Sequence, residues 1–214
     1  IMEIAVSAQA IFLNGTSSSG KTTLARALQA ALPDNWQHLA LDQFRDGLPD
    51  KFRGLNAPEG TTGWRGLNVV PVTSSKPPYT RIAYGDQGLR LLKGMRRAMR
   101  SLVDAGNNII IDDIILEPEF LNDYLEVFVG IDLWFVGIRC DLAIIEDREA
   151  QRLGRFPGTA RGHFMQCHAH DRYDIQVDTG RLSPQQCAAA IQSRLAEGAP
   201  QAFIELRRLQ STGL

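Results

Sequence analysis

Residues 15–22 read Gly15, Thr16, Ser17, Ser18, Ser19, Gly20, Lys21, Thr22, a complete GxxxxGK[ST] motif with an apolar run directly before it and a periodic segment directly behind it. A loop of this kind must sit between a strand and a helix. Its glycines let the main chain wrap a phosphate chain, consecutive N–H groups and the helix N-terminus supply donors and a positive dipole, and the lysine reaches the β and γ oxygens. The motif therefore predicts a nucleotide site built from Gly15 to Lys21, Thr22 and Thr23, with the Thr22 hydroxyl on Mg²⁺ and ATP as the nucleotide. Asn14, Gly15 and Thr16 also spell a glycosylation acceptor, a use excluded if the same residues open a phosphate loop.

The rest of the chain supplies the scaffold that such a loop requires. Apolar runs at 10–13, 38–41, 108–111, 133–138 and 173–177 have strand length, and most are continuously apolar, as strands covered on both faces must be. The alternation of Ile175 and Val177 suits a sheet edge. Between them, Leu24, Leu28 and Leu32, and then Leu91, Leu92, Met95, Met99 and Leu102, recur at helical spacing. Asp141 and Ser183–Pro184 are helix-start signals for segments carrying Ile144 and Ile145, and reaching about Leu195. The expectation is an α/β chain: a five-stranded, mainly parallel sheet flanked by helices in three layers, forming one domain over 1–214.

Composition narrows the partners. Lys and Arg number 23 and Asp and Glu 24, a formal net charge of -1 that provides no global basic field for nucleic acid or anionic lipid. A small-molecule partner is expected. The longest apolar run falls far short of the roughly 20 residues that cross a bilayer. The three cysteines, Cys140, Cys167 and Cys187, form no CxxC pair, so a reducing cytoplasm is the expected location. Ile1 is expected to be extraneous and Met2 the natural start, with the first strand in place of a signal peptide.

Residues 48–85 break the βα rhythm. They contain Pro49, Pro58, Pro71, Pro77 and Pro78 and little sustained periodicity. A connection of this length is expected to be an acceptor-binding insertion or lid, or else disordered. Its aromatic residues Trp64, Tyr79 and Tyr84 would either wall a pocket for an aromatic acceptor or anchor the segment to the core. The tail from 197 to 214 suits a short helix through Phe203, Ile204, Leu206 and Leu209.

Several acidic and basic residues are placed for phosphate chemistry. Asp112 and Asp113 end an apolar strand, where a carboxylate is needed beside the loop threonine to hold Mg²⁺, and either could serve since neighbours on a strand face opposite sides. Asp42 closes the second strand run, at the sheet end where ligands collect. It is placed either to take the proton from an attacking hydroxyl or to cap the turn that follows. Arg148, Arg152 and Arg155 recur at four- and three-residue steps, as a phosphate clamp in a lid near 148–170 or as a solvated face paired with Glu146 and Glu149. His163, Cys167, His168 and His170 lack a second pair with zinc spacing and are expected to be ordinary surface or lid residues.

Together the segments IFLNGTSSSGKTT, LDQF at 41–44, IIIDDIIL at 109–116, LWFVGIRCD at 133–141, the RE...R..R run at 148–155 and YDIQVDT at 173–179 resemble the chloramphenicol phosphotransferase family of P-loop kinases, in order over about 10–195. The resemblance implies a P-loop kinase fold, ATP with Mg²⁺ as donor and a hydroxyl of a small molecule as acceptor, chloramphenicol being one candidate. It also implies that Asp42 matches the family's acceptor-activating aspartate and that Arg148, Arg152 and Arg155 match its lid arginines. Residues 48–85 depart from the family in being longer and more proline-rich. The remaining readings are a kinase of another metabolite (a nucleoside, sugar acid or nucleotide sugar) and a nucleotide-switched binding module without transfer activity.

Overall fold

A computed structural model describes residues 8–152 and 156–212. Its centre is strand β1 (Ala10–Asn14), flanked on one side by β6 (Asn108–Asp113) and then β2 (Trp36–Ala40), and on the other by β7 (Leu133–Arg139) and then β8 (Ile175–Asp178). All four pairings are parallel, and Ala10 stands level with both Ile109 and Leu133. The strand carrying Ile175 and Val177 lies at an edge, as its alternation implies.

The continuous apolar character of β1, β6 and β7 follows from burial on both faces. Ala10, Phe12, Ile109, Ile111, Leu133 and Phe135 pack toward α4 (Asp86–Asp104), α5 (Pro118–Val127) and α9 (Ala202–Thr212). Ile11, Leu13, Ile110, Trp134 and Val136 pack toward α1 (Lys21–Ala31) and α8 (Pro184–Ala196). A side chain's parity on its strand thus decides which helical layer it meets. The Ser183 side chain accepts the Gln186 N–H at 3.2 Å and Pro184 occupies the first turn, which fixes where α8 begins. In α9, Phe203 and Leu206 are buried and Ile204 and Leu209 exposed, so only part of the expected apolar set faces inward.

Two sequence expectations change. The second strand ends at Ala40, and Leu41 already opens α2 (Leu41–Asp46), so Asp42 stands in the first turn of a helix. Residues 48–85 are neither a featureless connection nor disordered. After a 3-10 turn at Asp50–Phe52 they form β3 (Arg53–Leu55), the short helix α3 (Thr62–Arg65), β4 (Leu67–Val72) and β5 (Tyr79–Tyr84), with β4 central in a second sheet of three strands. Pro71 is tolerated within β4 because β3 pairs only as far as Val69, leaving just β5 beside it. Tyr84 stands edge-on to Phe120 with ring centroids 4.9 Å apart, which fastens this sheet to the main core.

Candidate nucleotide and transfer site

The phosphate loop leaves β1 at the carboxyl end of the sheet and enters α1 at Lys21. Gly20 carries the turn at φ 94, a left-handed conformation that a side chain would resist. The first-turn amides of α1 thereby point into the loop, unpaired within the helix. Ser18 Oγ and Ser19 Oγ are buried without a hydrogen-bond partner among the described residues. Lys21 Nζ donates to Gly15 O at 2.7 Å and Thr16 O at 3.1 Å, folding its ammonium back across the loop. A cradle of amides and hydroxyls under one ammonium fits a polyphosphate.

The acidic pair divides by parity. Asp112 turns to the α1 side, where its Oδ2 accepts the Thr22 hydroxyl at 2.7 Å and lies 3.2 Å from His38 Nε2, while Oδ1 is 3.9 Å from Lys21 Nζ. Burial opposes ionisation of this carboxyl, but the His38 contact, the Lys21 charge and the Thr22 hydroxyl together hold it below the usual carboxylate range. Asp113 turns the other way, accepting the Tyr124 hydroxyl at 2.7 Å and the Ile114 N–H at 2.8 Å. Burial raises its pKa, against the opposing pull of Arg96 and these hydrogen bonds. The hydroxyl and carboxylate pair of Thr22 and Asp112 is oxygen-rich and anionic, a donor set that suits Mg²⁺.

Asp42 lies on the same end of the sheet, two residues beyond Ala40, the register partner of Asp112. Its Oδ1 accepts Arg45 Nη1 at 2.7 Å, and its side chain is 46% exposed, so the carboxylate is partly accessible to solvent. Arg148 projects from α6 (Leu142–Ala150) to Thr179, donating to its carbonyl at 2.8 Å and approaching its hydroxyl at 3.4 Å. Thr179 Oγ1 in turn donates to Ser19 O at 2.6 Å. Arg148 thus reaches the phosphate loop through Thr179. Glu146 pairs with Arg161 at 2.6 Å, and Glu149 accepts the N–H groups of Gly158 and Ala160, so these acids serve the chain beyond Arg152. Arg152 is exposed after the end of α6, and Arg155 lies outside the described residues.

Several contributors gave no signal in sequence. His38 is a polar residue inside an apolar strand, and Thr179 follows one. Asn14 ends β1 and donates to Cys167 O at 2.6 Å and to the Tyr173 hydroxyl at 2.7 Å, while its Oδ1 accepts the Ile115 N–H. The Tyr173 oxygen also lies 2.6 Å from His168 Nδ1. His170 stacks on Phe135 with centroids 5.0 Å apart. No group of three or more potential metal-binding His, Cys, Asp or Glu residues occurs among the described residues, and no described helix is long and apolar enough to cross a membrane.

A parallel sheet with the phosphate loop at its centre and the Thr22 hydroxyl of α1 paired with a carboxylate on the neighbouring strand defines a P-loop kinase fold. The same fold occurs in the APS kinase of Mycobacterium tuberculosis, solved with AMPPNP and APS (16% identity, TM-score 0.61, covering 89% of this chain and 99% of that one). It occurs also in a gluconokinase of Sinorhizobium meliloti 1021 (18%, 0.57, 89% and 95%) and in the shikimate kinase of Acinetobacter baumannii, solved with shikimate (11%, 0.51, 89% and 94%). Within that fold, residues 8–196 match the model of the chloramphenicol phosphotransferase-like proteins, and the chain belongs to that family. A relative in two strains of Mycobacterium tuberculosis, named provisionally as an O-phosphotransferase, is 34% identical over 204 residues, 92% of this chain and 87% of its own length.

Proposed function

We propose that this protein is an ATP- and Mg²⁺-dependent O-phosphotransferase that moves the γ-phosphate to a hydroxyl of a small molecule, with chloramphenicol as the first acceptor to test. The observation that carries the reading is the convergence of Lys21, Thr22 and Asp112 at the mouth of the phosphate loop, with Asp42 in the first turn of α2, just past the end of the next strand. Family membership and the name of the 34% identical relative support the same reaction class.

In this reading the loop amides and the Ser18 and Ser19 hydroxyls bind the phosphate chain, and Lys21 swings from Gly15 O and Thr16 O to the β and γ oxygens. Thr22 and Asp112 hold Mg²⁺, which when bound neutralises charge on the phosphates. His38 keeps the Asp112 carboxylate turned toward Thr22. Asp42 accepts the proton of the acceptor hydroxyl as its oxygen forms a bond to the γ-phosphorus and the bond to the β–γ bridging oxygen breaks, leaving ADP. Arg152 and Arg155, carried over from the family, clamp the transferring group. Arg148 steadies the loop by way of Thr179. Asp113, facing Tyr124, has a structural task.

The test is incubation with γ-labelled ATP, Mg²⁺ and chloramphenicol, with mass spectrometry for a product heavier by one phosphoryl group. A product lost on Lys21→Ala supports the whole reading. ATP binding without a chloramphenicol product moves the acceptor to another hydroxylated metabolite, and absence of ATP binding contradicts the reading.

A further inference from the structure

The short helix α7 (Thr159–Phe164) and the two residues before it are held by two separate elements. From the phosphate loop, Thr16 Oγ1 donates to Ala160 O at 3.0 Å, and both residues are buried. From the second sheet, Thr80 on β5 donates twice, through its N–H to Gly158 O at 3.0 Å and through its hydroxyl to Pro157 O at 2.8 Å. Thr80 is itself buried. Gly162 passes so near β5 that a Cβ on it would stand 2.1 Å from Thr80 O, a backbone approach that no other residue type permits. Glu149 fixes the same stretch to α6 by accepting Gly158 N–H at 2.9 Å and Ala160 N–H at 2.7 Å.

These contacts leave only one residue, Thr159, between the phosphate loop's partner, Ala160, and β5's partner, Gly158. A rise in order at one must be felt at the other, because packed backbone at this density has no slack to absorb a shift. Thr80 belongs to residues 48–85, the segment read as the acceptor side. We propose that Thr80 is a positioning residue that links the two halves of the reaction: a nucleotide in the phosphate loop orders the acceptor-side sheet through Thr16, α7 and Thr80. This rests on the proposed function only in taking the loop as the nucleotide site and β3–β5 as the acceptor side. By linkage, an acceptor that orders β5 tightens nucleotide binding by the same factor.

Hydrogen–deuterium exchange on the full chain, with and without Mg²⁺ and the non-hydrolysable analogue AMPPNP, tests this directly. Bound AMPPNP should slow exchange in peptides spanning 79–84 by about fivefold or more in the wild type. Thr80→Ser, which keeps the hydroxyl, should retain that protection. Thr80→Val and Gly162→Ala should lose most of it while still binding AMPPNP, as followed by a fluorescent-nucleotide competition. A merely structural role would change exchange equally with and without nucleotide. The proposal is overturned if bound AMPPNP leaves 79–84 unprotected in the wild type, or if Thr80→Val and Gly162→Ala both keep full protection. Failure of AMPPNP to bind at all overturns the proposed function and this coupling together, whereas binding without protection overturns the coupling alone.

Discussion

The Thr22 hydroxyl donates to Asp112 Oδ2 at 2.7 Å across 90 residues of sequence, joining the start of α1 to the end of β6. The bond ties the phosphate loop to the strand that carries the second carboxylate. It also distinguishes Asp112 from its neighbour, since Asp113 faces the opposite helical layer and binds Tyr124.

Exchanging either aspartate for asparagine should therefore have very different consequences. Asp112→Asn is expected to raise the Mg²⁺ concentration for half-maximal transfer and cut turnover by on the order of 10²-fold, as loss of charge beside a transferring phosphoryl group does. Asp113→Asn should lower stability by about 1–2 kcal/mol through the Tyr124 bond and leave the Mg²⁺ requirement unchanged. Mg²⁺ titrations of activity alongside thermal melts check both, and an equal Mg²⁺ response in the two variants would contradict the division.

Thr179 gives a second handle on the loop. Thr179→Val removes the donor to Ser19 O and part of the Arg148 contact while keeping the shape. Nucleotide affinity should fall by about five- to tenfold, corresponding to the ~1 kcal/mol of one hydrogen bond. Equilibrium titration with a fluorescent nucleotide would show it, and unchanged affinity would remove Thr179 and Arg148 from loop positioning.

Two histidines set a stability window. Burial first, then the Arg139 charge, lowers the pKa of both His168 and His170 to about 4. The unfolded chain, with histidines near 6.5, takes up these protons first as pH falls, so folding loses stability between about pH 6.5 and 4 and holds its full value above. Allowing for partial solvent access, about 1–2 kcal/mol per histidine is at stake, or roughly 5–10 °C in melting temperature for the pair. Melts from pH 7.5 to 4 measure the slope. His170→Phe, which keeps a ring on Phe135, should flatten it, and an unaltered slope in that variant would contradict the assignment.

The sheet was legible because its strands are buried twice over. Runs such as Asn108–Asp113 and Leu133–Arg139 cannot be read as amphipathic helix faces, and the GxxxxGK[ST] motif fixes which strand lies at the loop. Parity along the strand announced that Asp112 and Asp113 part company, but the direction depends on where α1 packs, which only the fold supplies. The second sheet escaped notice because β3 has three residues and β4 contains Pro71, tolerated only where pairing with β3 has stopped. Helix α7 has six residues including Gly162 and is defined by contacts with Thr16 and Thr80, some 80 to 144 positions away. His38 and Thr179 were silent for the same reason. Each is ordinary in its local sequence and acquires a task only beside Asp112 or Ser19.

The most direct measurement pairs nucleotide affinity with transfer rate in Asp42→Asn, using the best acceptor that a screen beginning with chloramphenicol provides. The proton-accepting role predicts ATP affinity within about twofold of wild type and a transfer rate lower by 10²- to 10⁴-fold. Transfer at the wild-type rate would contradict Asp42 as the base, and a collapse of ATP binding would place it in the nucleotide site instead.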